Sequence, residues 1–177
     1  MSTLKVNTIQ EADGSAFPLG KIVQVVAGTR KTAAFSTAST TTDVQVTGLT
    51  CQITPTSASN KILVNLHVGA IGHTDGNGSA SILKLYRDGS ILDVAVGPAS
   101  GNRSRSSFGY RASGGGGNHV SGSCLVLDSP STTSQIEYQV YMNVEQATGT
   151  INCTAANNNH ISNPSTFSQI ICMEVTA

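Results

Sequence analysis

The sequence predicts an all-β fold: an antiparallel β-sandwich of jelly-roll type, preceded by an extended N-terminal arm. Apolar and polar residues alternate in segment after segment, and clusters of Gly, Pro, Asn, Asp and Ser separate these segments. No segment keeps the period of an amphipathic helix. About eight to ten evenly spaced strands are typical of sandwiches and barrels, not of βαβ units. Two packed four-stranded sheets accommodate this number best, so a jelly roll is the expected architecture.

The N-terminal arm is predicted over residues 1–19. Leu4, Val6 and Ile9 are apolar and alternate with polar residues, which indicates one short strand, and EADGSAFPLG then interrupts the pattern. A lone strand exposes unpaired N–H and C=O groups, which it can satisfy by joining another chain's sheet or by winding with symmetry mates. We therefore expect Leu4, Val6 and Ile9 to serve docking or oligomerisation. The alternative is an edge strand added to the chain's own domain.

The head domain is predicted over residues 20–177 and contains the other strands. The Asp-Gly pair within RDGS at 87–90 lies between apolar runs, the strongest short-range signal for a β-hairpin. Gly48 is expected to mark a β-bulge. The predicted strands lie within 21–28, 43–55, 61–72, 81–96 (two strands), 119–128, 135–144, 148–155 and 165–175.

The composition argues against several classes of partner. Charged residues make up 11% of the chain and the formal net charge is zero, whereas an average soluble domain is roughly one-quarter charged. Binding to nucleic acid or to acidic membranes requires clustered cations. No apolar run is long enough to cross a bilayer, and no signal peptide is apparent at the N-terminus. We expect no nucleic-acid partner and no membrane insertion; a neutral surface rich in Ser, Thr and Asn suits a fixed assembly or a polyhydroxyl ligand.

The four cysteines are Cys51, Cys124, Cys153 and Cys172. Each lies in an apolar or alternating run, and none forms a CxxC pair or has zinc-ligand spacing. Buried reduced thiols that pack as small hydrophobic groups are the main interpretation. One or two disulfides are the alternative.

No catalytic, metal-binding or cofactor-binding motif stands out. The histidines are scattered, with His67 expected to face solvent, and no carboxylates form a convincing acid–base pair. Asp75 begins a D-x-N-x-S run like that of a calcium loop, but Tyr86 takes the position of the bidentate Glu, so a turn is the simpler interpretation. The run GGGG at 114–117 is interpreted as a flexible loop tip. We expect a protein that is not an enzyme and needs neither a cofactor nor a metal.

The Gly/Ser/Arg-rich stretch 97–118 is the most informative loop. It combines arginines with Phe108 and Tyr110, residue types that are frequent in recognition surfaces. The alternative is a long solvated loop that packs against a neighbouring subunit. With the expected outward loops 72–80 and 156–164, it supplies the receptor-contact candidates, which are Arg103, Arg105, Tyr110, Arg111, Asn157 and Asn158.

Three stretches resemble small fibre and virion structural proteins of tailed bacteriophages, especially marine phages that infect cyanobacteria. They are MSTLKVNTIQ followed by a break and GKIVQVV, then ITPTSASNKILVNLHV, and then LKLYRDGSIL. The closing STFSQIICMEV also resembles the last strand of C1q- and TNF-like trimeric jelly rolls.

The resemblance implies a virion protein, assembled in the bacterial host cytoplasm and commonly a homotrimer. Its N-terminal arm would dock to other virion proteins, and it would carry no catalytic residues. We expect a short fibre or tail-tip knob that attaches the particle to a bacterial surface glycan or protein through multivalent loop contacts. The alternative is a capsid decoration, cement or head-fibre protein with a purely structural role. A secreted lectin-like module and a polysaccharide hydrolase are less favoured hypotheses.

Overall fold

The computed structural model describes residues 20–74, 77–113, 118–154, 159–161 and 163–176. Several sequence-based predictions lie outside these residues. They are the arm 1–19 with Leu4, Val6 and Ile9, the start of the calcium-like loop at Asp75, the GGGG run at 114–117, and the receptor-contact candidates Asn157 and Asn158.

The described residues form two antiparallel sheets packed face to face, which confirms the predicted all-β sandwich. The chain also makes one short 3-10 turn at Asp93–Ala95. The strands are β1 Ile22–Ala27, β2 Phe35–Thr37, β3 Val44–Ile53, β4 Lys61–His73, β5 Asn77–Arg87, β6 Ser90–Ile91, β7 Phe108–Ser113, β8 His119–Asp128, β9 Ile136–Val144, β10 Gly149–Ile151 and β11 Gln169–Val175.

The first sheet, called here the β4 sheet, has the order β8-β4-β11-β1. The long strand β4 pairs with β11 over its first half and with the short β10 near its end, and β2 pairs with β10. The second sheet, called the β9 sheet, has the order β3-β9-β5, and β7 and β6 pair with successive parts of the free edge of β5. The chain moves repeatedly from one sheet to the other, in the manner of a jelly roll.

The β5–β6 hairpin confirms the Asp-Gly prediction. Asp88 and Gly89 have φ values of 49° and 75°, and two consecutive positive values are those of the type I′ turn that matches strand twist. The bulge at Gly48 is also confirmed, since its φ is 78° and the β3–β9 register shifts between Gln45 and Thr50. The second strand of 81–96 is shorter than predicted, because it ends at Ile91 and the chain then enters the 3-10 turn.

The prediction of a single loop over 97–118 is wrong for its second half, where β7 pairs with β5. The sequence of β7 is FGYRAS, whose glycine and serine weaken the strand pattern. A glycine is needed at position 109, because a Cβ there would lie 2.9 Å from the carbonyl oxygen of Ser81. The backbones of β5 and β7 therefore approach closely at Gly109, a contact between distant residues that the sequence pattern of β7 does not show.

The core lies between the inward faces of the two sheets. Its members are alternating residues of the long strands, as the period-2 pattern predicts. The largest fully buried apolar and aromatic side chains are Tyr138, Leu49, Ile53, Ile62, Leu66, Ile71, Leu83, Leu85, Met142, Ile151 and Ile170.

All four cysteines are free thiols in the structure. Cys51, Cys153 and Cys172 are buried and Cys124 is partly buried, which agrees with the main sequence-based interpretation. Cys51 and Cys172 belong to opposite sheets and share a hydrogen bond. That contact, followed by burial, raises the pKa of the Cys172 thiol.

Candidate binding surfaces

The arginine-rich loop between the 3-10 turn and β7 is braced by one of the predicted receptor residues. The Arg105 guanidinium donates from Nη2 to Asp93 Oδ1 at 2.8 Å and from Nε to the Gly97 carbonyl oxygen at 2.9 Å. These bonds close the segment between Asp93 and Arg105 into a compact loop. The structure therefore gives Arg105 a positioning contact within its own chain.

Arg111 and Tyr110 lie on β7. The exposed Arg111 side chain donates from Nε to the Gly78 carbonyl oxygen at 2.6 Å, which ties β7 to the start of β5. Tyr110 is partly buried and packs against the core. Both residues therefore belong to the β5–β7 edge of the sheet and not to the outward loop that the sequence predicts.

Arg103 has a different environment from the other two arginines. It is exposed and closes a tight turn, where its backbone N–H donates to the Ser100 carbonyl oxygen at 3.0 Å. Its side chain makes no hydrogen bond or ion pair with any part of the chain that the structure describes. Its neighbours Asn102 and Ser104 both line a groove on the outer face of the β9 sheet.

This groove, called here the Asn143 groove, has a volume of about 430 Å³. The loop side contributes Asn102 and Ser104, and the β2–β3 connection contributes Thr40. The remaining lining residues come from β5 and from the end of β9: Ala80, Ile82, Asn143, Val144 and Glu145.

An ordered polar network holds Asn143 in place. The Asp43 carboxylate accepts hydrogen bonds from Asn143 Nδ2 at 2.7 Å, from Lys84 Nζ at 2.8 Å to both oxygens, and from the Tyr86 hydroxyl at 2.5 Å. Burial and then the Asp43 contact raise the pKa of Tyr86. Tyr86 also stacks on Tyr141, with ring centroids 4.0 Å apart.

The network determines which way the Asn143 amide faces. Its Nδ2 must point to the Asp43 carboxylate, since a carboxylate accepts hydrogen bonds and cannot donate them when ionised. The amide oxygen of Asn143 is then buried without a donor among the described residues. Leaving a buried acceptor unsatisfied costs about 1–3 kcal/mol, so this atom is an uncommon feature of a folded chain.

The outer face of the β4 sheet is apolar, in contrast to the polar outer face of the β9 sheet. One row across its four strands is formed by Leu127, Leu63, Met173 and Val25, each paired in register with the next. The exposed fractions are 46% for Leu127, 60% for Val25 and 63% for Leu125 in the adjacent row. This surface is called the apolar face below.

Aromatic and cationic groups border the apolar face near the start of β11. His67 lies on this outer surface, as predicted, and its ring centroid is 5.4 Å from that of Phe167. The Arg30 guanidinium carbon lies 4.2 Å from the Phe167 ring centroid, within cation–π range. A shallow pocket of about 210 Å³ lies beside them and includes Asn65 and Ile171.

A second polar pocket of about 290 Å³ lies at one end of the sandwich. Its lining includes Asn152, Thr154 and Ser165. The predicted contact residues Asn157 and Asn158 lie outside the described residues, so their role as receptor contacts stays a prediction.

Two buried carboxylates have structural roles that the sequence analysis missed. Asp128 of the β4 sheet accepts from Arg87 Nη1 at 2.8 and 2.6 Å and from the Tyr138 hydroxyl at 2.7 Å, and both donors belong to the β9 sheet. Burial and then the Asp128 contact raise the pKa of Tyr138. Glu174 is fully buried and accepts four hydrogen bonds. The only sequence signal was a lone acidic residue at an inward strand position.

No group of three or more His, Cys, Asp or Glu side chains among the described residues is placed to hold a metal ion. No helix among the same residues is long and apolar enough to cross a membrane.

Comparison with known proteins identifies no family for this chain. No protein-family model matches it, and no curated protein is significantly similar to it.

Proposed function

We propose that the chain is a structural protein of a bacteriophage virion: a short fibre or tail-tip knob whose head assembles with copies of itself and attaches the particle to a bacterial surface. The three N-terminal stretches that resemble small phage fibre proteins support this proposal. The main observation in support of self-assembly is the apolar face of the β4 sheet. The proposal assigns no catalytic chemistry to the chain.

The apolar face suits self-association for two reasons. Its row of apolar residues continues across four paired strands, exposed on the outer strands and partly exposed on the inner two, and a surface apolar patch of this kind usually marks an interaction site. The chain also has zero formal net charge, so copies would approach without long-range repulsion. A homotrimer is the state that the resemblance implies.

Attachment through such an assembly would rely on avidity. Several weak loop sites on one oligomer, and many oligomers on one particle, raise the overall binding strength without any tight single contact. The outward loops, including Arg103 and its neighbours, would supply these contacts, and the N-terminal arm would join the head to other virion proteins.

The assembly part is tested by two matched substitutions. Val25 on the apolar face and Val94 in the 3-10 turn are each 60% exposed, so a lysine at either position should leave the fold intact. We expect the full chain to elute as a trimer in size-exclusion chromatography with light scattering, Val25→Lys to shift it towards monomer, and Val94→Lys to leave it unchanged. A monomeric parent protein, or equal effects of both variants, would contradict the proposal.

The location is tested by immunogold electron microscopy of the virion that carries this chain. Label at the tail or its fibres would support attachment. Label distributed over the capsid would contradict a role in attachment and would instead favour capsid decoration or cementing. The same apolar face and arm could serve that role. Absence of label from purified particles would refute the virion assignment.

A further inference from the structure

We propose that the Asn143 groove binds a neutral saccharide through hydrogen bonds to its hydroxyl groups. The inference deepens the proposed function and rests on it, since it names the chemical class of the bacterial surface ligand. The groove lies on the outer face of the β9 sheet, opposite the apolar face. A trimer assembled through the apolar face would therefore leave the groove accessible.

The first argument is the unsatisfied oxygen of Asn143. The Asp43 carboxylate fixes the amide nitrogen at 2.7 Å, so rotation of the amide cannot pair the oxygen without losing that bond. The oxygen remains a buried acceptor without a donor in the described part of the chain. Its residue lines a groove large enough for a small ligand, whose hydroxyl group would supply the missing donor.

The second argument is the set of polar side chains around this oxygen. Thr40, Asn102, Ser104 and Glu145 line the groove and are exposed, and their side chains make no hydrogen bond within the described residues. Together they offer hydroxyl, amide and carboxylate groups, which can both donate to and accept from sugar hydroxyls. Ile82 and Ala80 add an apolar floor against which the C–H face of a sugar ring can pack.

The third argument concerns charge. Glu145 is the only titratable residue among those that line the groove, and the exposed Arg103 lies between Asn102 and Ser104, so one carboxylate and one guanidinium leave little net charge here. A single carboxylate with neutral oxygens is also a weak set of ligands for a divalent cation. Groups of mixed donor and acceptor character with little charge favour a neutral polyhydroxyl ligand.

The fourth argument is that the groove is held rigidly on its strand side. The Glu145 backbone N–H donates to the Ala80 carbonyl oxygen at 2.9 Å, so the floor is part of the β5–β9 ladder. The Asp43 network fixes Asn143 from beneath. Prearranged polar groups reduce the ordering cost of binding, which matters for the millimolar affinities that multivalent attachment uses.

The test is a two-dimensional 1H–15N NMR titration of the full chain with the methyl glycosides of glucose, galactose, mannose, rhamnose and N-acetylglucosamine, each up to about 50 mM. We expect at least one of them to shift the Asn102, Ser104 and Glu145 amide signals and the Asn143 side-chain signals in a saturable way. Asn102→Ala should weaken this binding about tenfold. The matched control Gln135→Ala changes an exposed side-chain amide just before β9, at the end of that strand away from the groove, and should have no effect.

A second variant tests the chemical class of the ligand. Glu145→Gln keeps hydrogen-bonding groups and removes the charge, so affinity for a neutral sugar should change by less than about threefold. Loss of binding in Glu145→Gln would overturn the assignment to neutral ligands. No saturable shift with any of the five glycosides, or equal weakening in Asn102→Ala and Gln135→Ala, would overturn the site.

The two proposals can fail independently. If the chain forms a trimer and labels the phage tail but none of the glycosides binds, only the saccharide inference fails. If a glycoside binds in the groove but the chain is absent from purified virions, the proposed virion function fails and the groove site stands.

Discussion

Glu174 is the residue whose replacement should reveal most about how this sandwich is held together. It faces inward from β11, has an exposed fraction of 0%, and lies where β11, its neighbour β1 and the β3–β4 loop meet. Its carboxylate accepts from Asn60 Nδ2 at 2.6 Å, Gln24 Nε2 at 2.6 Å, Thr56 N at 2.7 Å and Thr56 Oγ1 at 2.8 Å. One carboxylate thus connects three segments of the chain.

The magnitude follows from these four bonds. Hydrogen bonds to a charged group contribute about 1.5–3 kcal/mol each, but members of one network are not additive. Glu174→Ala leaves the buried Asn60 amide and the Thr56 backbone N–H without their acceptor, so we expect a loss of about 3–5 kcal/mol in the free energy of unfolding. Glu174→Gln retains one acceptor oxygen and should cost about 1–2 kcal/mol.

The same site predicts a specific pH dependence. Burial alone would raise the pKa of Glu174, but the bonds from Asn60, Gln24 and Thr56 outweigh it and lower the pKa from 4.5 to about 2. Because the folded-state pKa lies below the unfolded one, the stabilisation is fully present above about pH 4.5 and is lost as the pH falls towards 2. It amounts to at most about 3.5 kcal/mol, since a tenfold change in proton affinity corresponds to about 1.4 kcal/mol.

The assay is urea unfolding followed by far-UV circular dichroism between pH 7 and pH 3. The parent chain should lose stability below pH 4.5 more steeply than Glu174→Gln, which has no titrating group at this position. Glu145→Gln is the matched control, because Glu145 is exposed and its side chain has no hydrogen bond in the described structure; its pH profile should follow that of the parent. Parallel profiles for the parent and Glu174→Gln would refute the reasoning.

Three further predictions concern backbone approach, a buried hydroxyl and thiol access. Gly28→Ala should lower the free energy of unfolding by about 2–3 kcal/mol in urea titrations, because the alanine Cβ would lie 2.2 Å from the Thr50 carbonyl oxygen of β3. The control Gly97→Ala should be near neutral, since a Cβ there has nothing within 4 Å. Tyr138→Phe should cost about 1–2 kcal/mol in the same assay, since it removes the 2.7 Å bond to Asp128. Under native conditions iodoacetamide should label Cys124 first, as mass spectrometry of digests would show, because the other thiols are buried; equal labelling of all four would contradict the packing.

The sequence predicted those parts of the fold that depend on local chemistry. The alternation in β4 and β9 indicated both their strand character and their inward residues, since a period of two places every second side chain on one face. The Asp88–Gly89 pair predicted its turn because positive φ values are tolerated by very few residue types. The cysteines were predicted to be buried from their apolar neighbours.

The candidate sites were predicted less well, because sites depend on which strands become neighbours. Arg105 and Arg111 were grouped with Arg103 by sequence distance alone. In the folded chain Arg105 donates to Asp93 and Arg111 donates to the Gly78 carbonyl oxygen. The Arg103 side chain has no such partner among the described residues.

The Asn143 groove could not be found from the sequence, because its lining residues come from four separate parts of the chain, at positions 40, 80 and 82, 102 and 104, and 143–145. Nothing local to Asn143 predicts that Asp43, about one hundred residues away, will fix its amide. The apolar face had a partial signal, since Leu125 and Leu127 were visible as apolar residues of one strand. Their continuity with Met173 and Val25 requires the order of strands in the sheet.

By itself the sequence therefore determined the class of fold, the inward faces of the long strands and the hairpin turn, because these follow from backbone preferences and from the burial of alternate side chains. The tertiary structure decided the strand order, the β7 edge, the partners of Glu174 and Asp128, and the composition of both outer faces. These depend on contacts between residues far apart in sequence, whose register is chosen by packing and by the pairing of buried polar groups.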